Sequence, residues 1–406
     1  MLFIGLDLGS TYTKAALFTE CKIVEELSVK TPQPEAMHSI RYEIDADVYF
    51  KQVLNLLNQL WRYDVQGILI STQMHGCLLT DEQFHPLTPY ISWRDGLGSK
   101  WLSEFKRKYG CDAVSPSGVP WKGNLAVCAL LGRIAEGDQL PTSGYFNTLG
   151  GYIIGRLTGN HVCHMTNAAP TGMADVRAGT WNMDLIGKVR LDHLVFPKIL
   201  TRIETCGRWR EIPVYPDLGD QQVCAAGAGL KEDTTLHISI GTAGLIGILT
   251  NQWGNENYEN RPWLQPGVFL RTVSGQPGGR HFTAFAMNLQ QIVEKLAGVS
   301  ISLEQIMDYL GHVDAQPAEG INEIWEMPGK NVDIFIMNFY GSFAQTYRKA
   351  ANQMRIPIRE LAFSGGCASK NPALRHCITA FFSLPATDEA HEVWHGMREI
   401  ISMLDK

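Results

Sequence analysis

The sequence predicts an α/β fold in two domains, and three observations carry that expectation. Phe3–Lys14 runs as an apolar strand into Asp7, Gly9 and a cluster of hydroxyl residues that ends in Lys14. His237–Ile248 repeats the pattern of strand, glycine–hydroxyl turn and strand in the second half of the chain. Leu361–Asn371 is a further strand, ending in the paired glycines Gly365 and Gly366 and opening towards a helix. At 406 residues the chain is long enough for two domains, each with its own core.

In chain order, strands are expected at Phe3–Leu8, Lys14–Phe18 and Lys22–Val29. Val48, Val53, Leu54, Leu57, Leu60 and Trp61 recur at helical spacing, and the apolar run Gly67–Ser71 then reads as a buried strand. Strands, a helix and another strand suggest a mixed sheet with a helical crossover. Residues 98–210 read as largely helical and loop-rich, punctuated by Pro116, Pro120, Gly150, Gly151 and Pro170. Strands restart at 236–240 and 244–250, followed by helices at 283–297, 302–311, 332–354, 372–382 and 388–404. The domains are expected at 1–229 and 230–406, with the last helix packing back on the first. With no low-complexity linker between them, the halves are expected to face a central cleft.

Composition narrows the function. Hydrophobic residues make up 45% and charged residues 19%, the balance of an ordinary soluble globular enzyme. The formal net charge of -6 argues against nonspecific nucleic-acid binding, which needs a basic surface. Nine scattered cysteines with no C-x-x-C pair suggest reduced thiols in a cytoplasmic protein. No basic region precedes the first apolar strand, and Asp7 interrupts it, so neither a signal peptide nor a membrane span is expected. P-loop and Rossmann signatures are absent: Gly187-Lys188 is followed by Val189 and Gly329-Lys330 by Asn331.

The turns carry the candidate chemistry. A strand that breaks at Gly9 can present N–H groups and the hydroxyls of Ser10, Thr11 and Thr13 to a phosphate. Asp7 can hold a hydrated cation and Lys14 can supply a point charge. Taken alone, the same segment reads as a hairpin with a polar tip. Gln73, Met74 and His75 follow a strand end, where amide and imidazole suit a polyhydroxylated ligand; His75 capping a turn is the plainer alternative. Trp93 offers a face for a sugar ring or a place in the core, and Asp95 an acceptor for hydroxyls. Asp217 and Asp220 lie near the start of a small-residue helix, where an acid serves either as a cap or as a proton acceptor.

These segments resemble the FGGY carbohydrate kinases when taken in order. The motifs are D-x-G-S-T-x-T-K at Asp7–Lys14, Q-M-H-G at Gln73–Gly76, W-x-D at Trp93–Asp95 and G-D-x-x at Gly219–Gln222, then I-G-T-x-G at Ile240–Gly244 and G-G-x-A-x-x-N at Gly365–Asn371. Q-M-H-G resembles xylulokinases, while Tyr215–Gln222 and Arg261–Arg280 look more like sedoheptulokinase. The resemblance implies two ribonuclease-H-like domains of the actin/Hsp70/sugar-kinase ATPase fold and ATP-dependent phosphorylation of a primary hydroxyl of a ketose. It implies Asp220 as catalytic base and Gln73, Met74, His75, Trp93 and Asp95 around the sugar. It places Ser10, Thr11, Thr13, Lys14, Gly241, Thr242, Gly365, Gly366 and Asn371 around ATP, with Mg²⁺ near Asp7. The expected partners are a small sugar and ATP, with a homodimer left open and neither nucleic acid nor membrane.

Departures keep other readings open. Leu97 stands where the family usually has arginine, and Gly320–Lys330 replaces the usual G-E-R-x-P loop. A weakly active or inactive sugar- or nucleotide-binding relative is one alternative, and an actin- or Hsp70-like ATPase is another. His391–His395 fits the H-E-x-x-H zinc motif but lacks the metzincin extension, so no zinc is expected there.

Overall fold

The computed structural model describes residues 1–34, 40–110, 116–230, 234–254, 258–313, 331–386 and 393–404. The chain divides into two compact units, each drawn from separate stretches of sequence. One comprises Met1–Val223, Asn251–Leu270 and Val393–Lys406; the other comprises Cys224–Thr250 and Arg271–Glu392.

In the first unit, strands β1 (Leu2–Leu8), β2 (Tyr12–Thr19), β3 (Ile23–Lys30), β4 (Val65–Thr72), β5 (Gly207–Trp209) and β6 (Ile212–Gly219) form one sheet. Its order is β5-β6-β4-β1-β2-β3. β1 and β2 are an antiparallel hairpin that sets Asp7 opposite Lys14. β4 runs parallel to both of its neighbours, so Ser71 lies beside Asp7 on one side and Leu218 on the other. A central strand flanked in this way is covered on both faces, which explains its continuous apolar run: only Gln66 is exposed.

The two faces of β1 are covered differently. Ile4, Leu6 and Leu8 share a core with Tyr49, Val53, Leu57 and Leu60 of the helix Ala46–Leu60, which Asp45 caps by accepting from the Val48 N–H. On the other face the helix Val393–Ile401 closes over Gly5, where a Cβ would lie 2.9 Å from the Phe18 and Trp394 rings. The Trp394 indole N–H donates to Glu26 at 2.9 Å and ties this helix to β3.

The second unit repeats the plan. Strands β7 (Thr235–Ile240), β8 (Gly244–Thr250), β9 (Phe269–Gln276) and β10 (Glu360–Ser364) lie in the order β9-β8-β7-β10. β7 and β8 form the antiparallel hairpin, and β10 runs parallel to β7 with Ser364 beside Ser239. Leu236, Ile238, Ile246 and Ile248 share a core with Phe282, Tyr340, Phe343, Tyr347 and Ile378, which come from the helices Gly279–Ala297, Asn331–Gln353 and Pro372–Phe382.

Residues 98–210 contain more strand than the sequence led us to expect. Gly144–Asn147, Val162–His164 and Lys198–Leu200 pair as short strands, each too brief to show a period-two pattern. Gly320–Lys330, His391 and Glu392 lie outside the described residues. Among the described residues no helix is long and apolar enough to cross a membrane.

Gly396 tests the anchoring of the last helix. A Cβ there would run into the Val223 carbonyl. In an unconstrained helix Gly→Ala stabilises by about 1 kcal/mol. Here Gly396→Ala should instead destabilise by about 1–3 kcal/mol, seen as a lower urea midpoint. A raised midpoint would mean that the contact is not tight.

Candidate active site

Three parallel strands end side by side in the first unit, and side chains from all three ends converge. Open α/β sheets present ligands with this edge, outside the carboxyl ends of parallel strands. β1 ends in Asp7 and the hairpin turn, β4 runs into Gln73, Met74 and His75, and β6 runs into Asp220. Asp7 accepts a hydrogen bond from the Ser71 hydroxyl at 3.1 Å, across the β1–β4 pairing.

The turn after β4 is strained. His75 has φ 74°, a left-handed conformation that costs energy for a residue with a side chain. Burial, reinforced by the positive charges of Arg261 and Lys122, lowers the His75 pKa to about 3, so its ring is neutral. His75 Nδ1 and Gln73 Oε1 are buried without a hydrogen-bond partner. Met74 packs under Gly219, where a Cβ would come within 2.7 Å of the Met74 sulfur. A larger residue at 219 would have to displace the Met74 and Gln222 side chains.

Two aspartates three residues apart have separate roles. Asp217 is fully buried; it accepts from the His164 N–H at 2.7 Å and the Thr148 hydroxyl at 2.9 Å. Burial raises its pKa to about 7, against those two donors. Its oxygens tie β6 to the segments around Thr148 and His164. Asp220 begins the helix Asp220–Gly227 and is half-buried, whereas Asp217 is fully enclosed. Its pKa also rises to about 7, through burial first and then the like charge of Asp7, while the Gln221 N–H and Arg261 oppose the rise. A carboxylate with its pKa near neutrality on a residue that is not fully enclosed suits a general base.

A set of polar groups surrounds this pair that the sequence did not single out. Lys122 reaches Glu259 at 2.5 Å, and Glu259 also holds Arg261 at 2.6 Å. Arg261 donates through Nη1 to Gln221 Oε1, and Gln222 donates to the Pro262 carbonyl at 3.0 Å. Trp121 Nε1, Gln221 Nε2 and Gln222 Oε1 are buried without partners. Of these, Gln222 Oε1 lies with Met74 against Gly219, next to Asp220. Gln221 and Gln222, adjacent to Asp220, and Arg261, which opens the segment Arg261–Arg280, carried a signal in the sequence.

The remaining predicted residues fall into two groups. Ser10 and Thr11 are accessible, and the exposed Arg94 donates to both hydroxyls, at 3.1 and 3.3 Å. Lys14 is half-buried opposite Asp7, and Trp93 is half-buried beside the Arg94 guanidinium, 5.7 Å from its ring centroid. Thr13 and Asp95 differ from these in being buried and bonded internally. Thr13 is fully buried and bonds Thr31 and Tyr49, because β2 alternates and position 13 faces inward. Asp95 is 2% exposed; it pairs with Arg133 at 2.8 Å and accepts from the Tyr42 and Leu97 N–H groups. With its lone pairs engaged inside the unit, Asp95 is a structural anchor.

In the second unit the glycine turns gather as the repeated pattern foretold. Gly279 N–H donates to the Gly241 carbonyl at 2.7 Å and Arg280 N–H to Thr242 at 3.2 Å, so the helix Gly279–Ala297 starts against the β7–β8 turn. Gly365, at φ 93°, sits where a Cβ would be 2.7 Å from the Ile240 carbonyl carbon. Thr242 and Gly366 are exposed beside these turns, an open backbone surface suited to phosphates. Asn371 is 2% exposed and caps the helix Pro372–Phe382 by accepting from the Leu374 N–H, while donating to the Tyr340 hydroxyl. It shapes the turn from behind. Among the described residues no three metal-ligating side chains cluster.

The profile of the FGGY family of carbohydrate kinases, N-terminal domain, matches residues 2–230. The xylulose kinase of Staphylococcus xylosus is 26% identical over 277 residues, covering 63% of this chain and 57% of its own. The glycerol kinase of Thermococcus kodakarensis is 25% identical over 267 residues, covering 61% of this chain and 54% of its own. The chain thus spans little more than half the length of these curated relatives. Among solved structures, the ligand-bound xylulose kinase of Lactobacillus acidophilus superposes with TM-score 0.77 at 18% identity, covering 99% of this chain and 88% of its own. The Plasmodium falciparum glycerol kinase with ADP gives TM-score 0.75 at 14% identity, covering 98% and 89%. At these identities the structures establish the fold: the mixed α/β architecture of sugar kinases within the actin/Hsp70-like class.

The contrast between the two aspartates is testable by stability. Asp217→Ala leaves the His164 N–H and the Thr148 hydroxyl without an acceptor and should cost about 2 kcal/mol or more. Asp220→Asn should change stability far less, since among the described residues the hydrogen bonds to its carboxylate come from the backbone N–H groups of Asp220 and Gln221 at the helix start. Urea denaturation of both variants reads the difference, and equal losses would remove the distinction.

Proposed function

The chain belongs to the FGGY family of carbohydrate kinases, and we propose on that footing that it phosphorylates a primary hydroxyl of a polyhydroxylated small molecule with ATP. The observation that carries this is Asp220: a half-buried carboxylate, poised near neutral pH, beside orphaned buried groups that suit hydroxyls. Xylulose and sedoheptulose are the first acceptors to test, on the Q-M-H-G turn and on the character of the segment from Arg261; glycerol follows from the relatives. The hydroxyl oxygen attacks the γ-phosphorus, its proton passes to Asp220, and ADP leaves. Positioning and charge stabilisation supply most of the rate in such transfers.

Asp7 and Lys14 are the charged groups of the first turn. A cation that keeps most of its waters and needs only one or two carboxylates, as Mg²⁺ does, suits Asp7. When bound it would neutralise charge on the phosphates. Ser10 and Thr11 offer hydroxyls to the transferred group, and the glycine turns at 241–242 and 365–366 offer backbone to the nucleotide. A binding-only relative, suggested by Leu97, would take up ligand and release no ADP.

Asp220→Asn keeps the size but cannot accept the proton. Turnover of the best acceptor in a ketose and polyol panel should fall roughly a hundredfold or more, with the melting temperature unchanged. Near-normal turnover would remove Asp220 as the base. Since the base must be ionised, kcat/KM should rise with pH through about 7 and fall away below it. Asp7→Asn removes the like charge and should move that limb to lower pH, read from the sugar-saturation profile; an unmoved limb would break the link between the two carboxylates.

A further inference from the structure

Arg94 is exposed, yet its guanidinium is fixed. Nη2 donates to the Ser10 hydroxyl at 3.1 Å and to the Thr11 hydroxyl at 3.3 Å, and Nη1 donates to the Tyr42 hydroxyl at 3.1 Å. The cation also faces the Tyr42 and Trp93 rings, 5.5 and 5.7 Å from their centroids. The next residue explains the aim. Asp95 is buried against Arg133 and accepts the Tyr42 N–H, so the backbone that carries Arg94 is anchored inside the unit.

The bonds run in one direction. Arginine has donors and no acceptor, so the Ser10, Thr11 and Tyr42 oxygens must accept. Tyr42 donates in turn to Gln33 Oε1 at 2.5 Å, and Gln33 Nε2 donates to the Thr31 carbonyl at 2.8 Å. The Thr31 N–H donates to the Thr11 carbonyl at 3.1 Å, which closes a ring of bonds around the turn. Ser10 and Thr11 have no such relay: among the described residues neither hydroxyl donates to a protein acceptor. With Arg94 on their oxygens, both O–H bonds must point elsewhere. Among the described residues no carboxylate pairs with Arg94 either. A cation whose neighbours are hydroxyls and ring faces, beside two free donors, suits an anion.

We propose that Arg94 is a positioning residue for phosphoryl transfer, turning the Ser10 and Thr11 hydroxyls as donors towards the phosphoryl group that leaves ATP. The inference rests on the proposed kinase reading and adds to it a cation from outside the first hairpin. Donors count here because charge spreads over the three equatorial oxygens of the transferred group in the transition state. Donors already in place need no reorganisation at that moment. The planar fork of a guanidinium lets one side chain hold both hydroxyls and Tyr42, which the point charge of an ammonium on a flexible stem does not.

The test uses the full chain with ATP, Mg²⁺ and the better acceptor of D-xylulose and glycerol. Arg94→Met should lower kcat roughly tenfold or more. The acceptor KM should stay within about twofold of wild type and the melting temperature should not change, since the side chain is exposed. Arg94→Lys should recover only part of the loss. A cycle with Ser10→Ala/Thr11→Val separates positioning from a general effect of charge. If Arg94 acts through the two hydroxyls, adding Arg94→Met to that pair should lower kcat by no more than about threefold further. Losses that multiply in the combined variant overturn the positioning role alone, as does near-normal turnover by Arg94→Met in an active enzyme. A rise in acceptor KM with kcat intact also overturns it, and would make Arg94 a contact of the acceptor instead. A wild type that releases no ADP with either acceptor overturns the kinase reading and this inference with it.

Discussion

The register of three parallel strands governs the first unit. β4 pairs with β1 and β6 so that Asp7, Ser71 and Leu218 fall on one line across the sheet. The residues just beyond that line, from Gln73 and from Asp220, then emerge from the same edge. A slip of one residue would turn every side chain of a strand to the opposite face. The continuous burial of β4 prevents this on both sides. The apolar packing of Ile68 and Ile70 thus keeps one carboxylate within electrostatic reach of another.

From this edge onward, chemistry depends on how completely each polar group is enclosed. Asp217 and Asp220 have the same side chain, the same raised pKa and nearly the same place in the chain. Asp217 is surrounded by donors and holds the β6 end in position. Asp220, at the start of the next helix, is only partly buried. The division matters because an anchoring carboxylate that moved to accept a proton would release the structure that orients it. The strained His75 fits the same logic: backbone energy is spent to place a neutral imidazole where its neighbours carry positive charge.

Much of the fold was legible because its signals are local. Apolar runs broken by glycine–hydroxyl turns specify hairpins wherever they occur, and their recurrence foretold the repeated plan. The helices at 283–297 and 332–354 were visible as amphipathic spans and the one at 372–382 from its place after the glycine pair; the structure starts the first at Gly279, shifts the second by one residue to Asn331–Gln353 and keeps the bounds of the third. The short strands of residues 98–210 gave no comparable signal. Asp7, His75 and Asp220 could be proposed from turn chemistry, whereas Thr13 and Asp95 carry the right atoms and direct them to Thr31, Tyr49 and Arg133. No pattern along the chain distinguishes a carboxylate that faces a ligand from one that faces an arginine 38 residues away.

The sequence by itself determined the α/β class, the two hairpin turns, the glycine turn after β10 and the candidate acids, since each follows from residues adjacent in the chain. Tertiary structure alone decided which acid is fully enclosed and which residues surround it. It also brought Asn251–Leu270, which follows the β7–β8 hairpin in sequence, into the unit that holds Asp220. The physical reason is that burial and hydrogen-bond satisfaction are properties of enclosure. Glu259, Arg261 and Gln221 become one array only when a strand and a helix start about 40 residues apart are packed together.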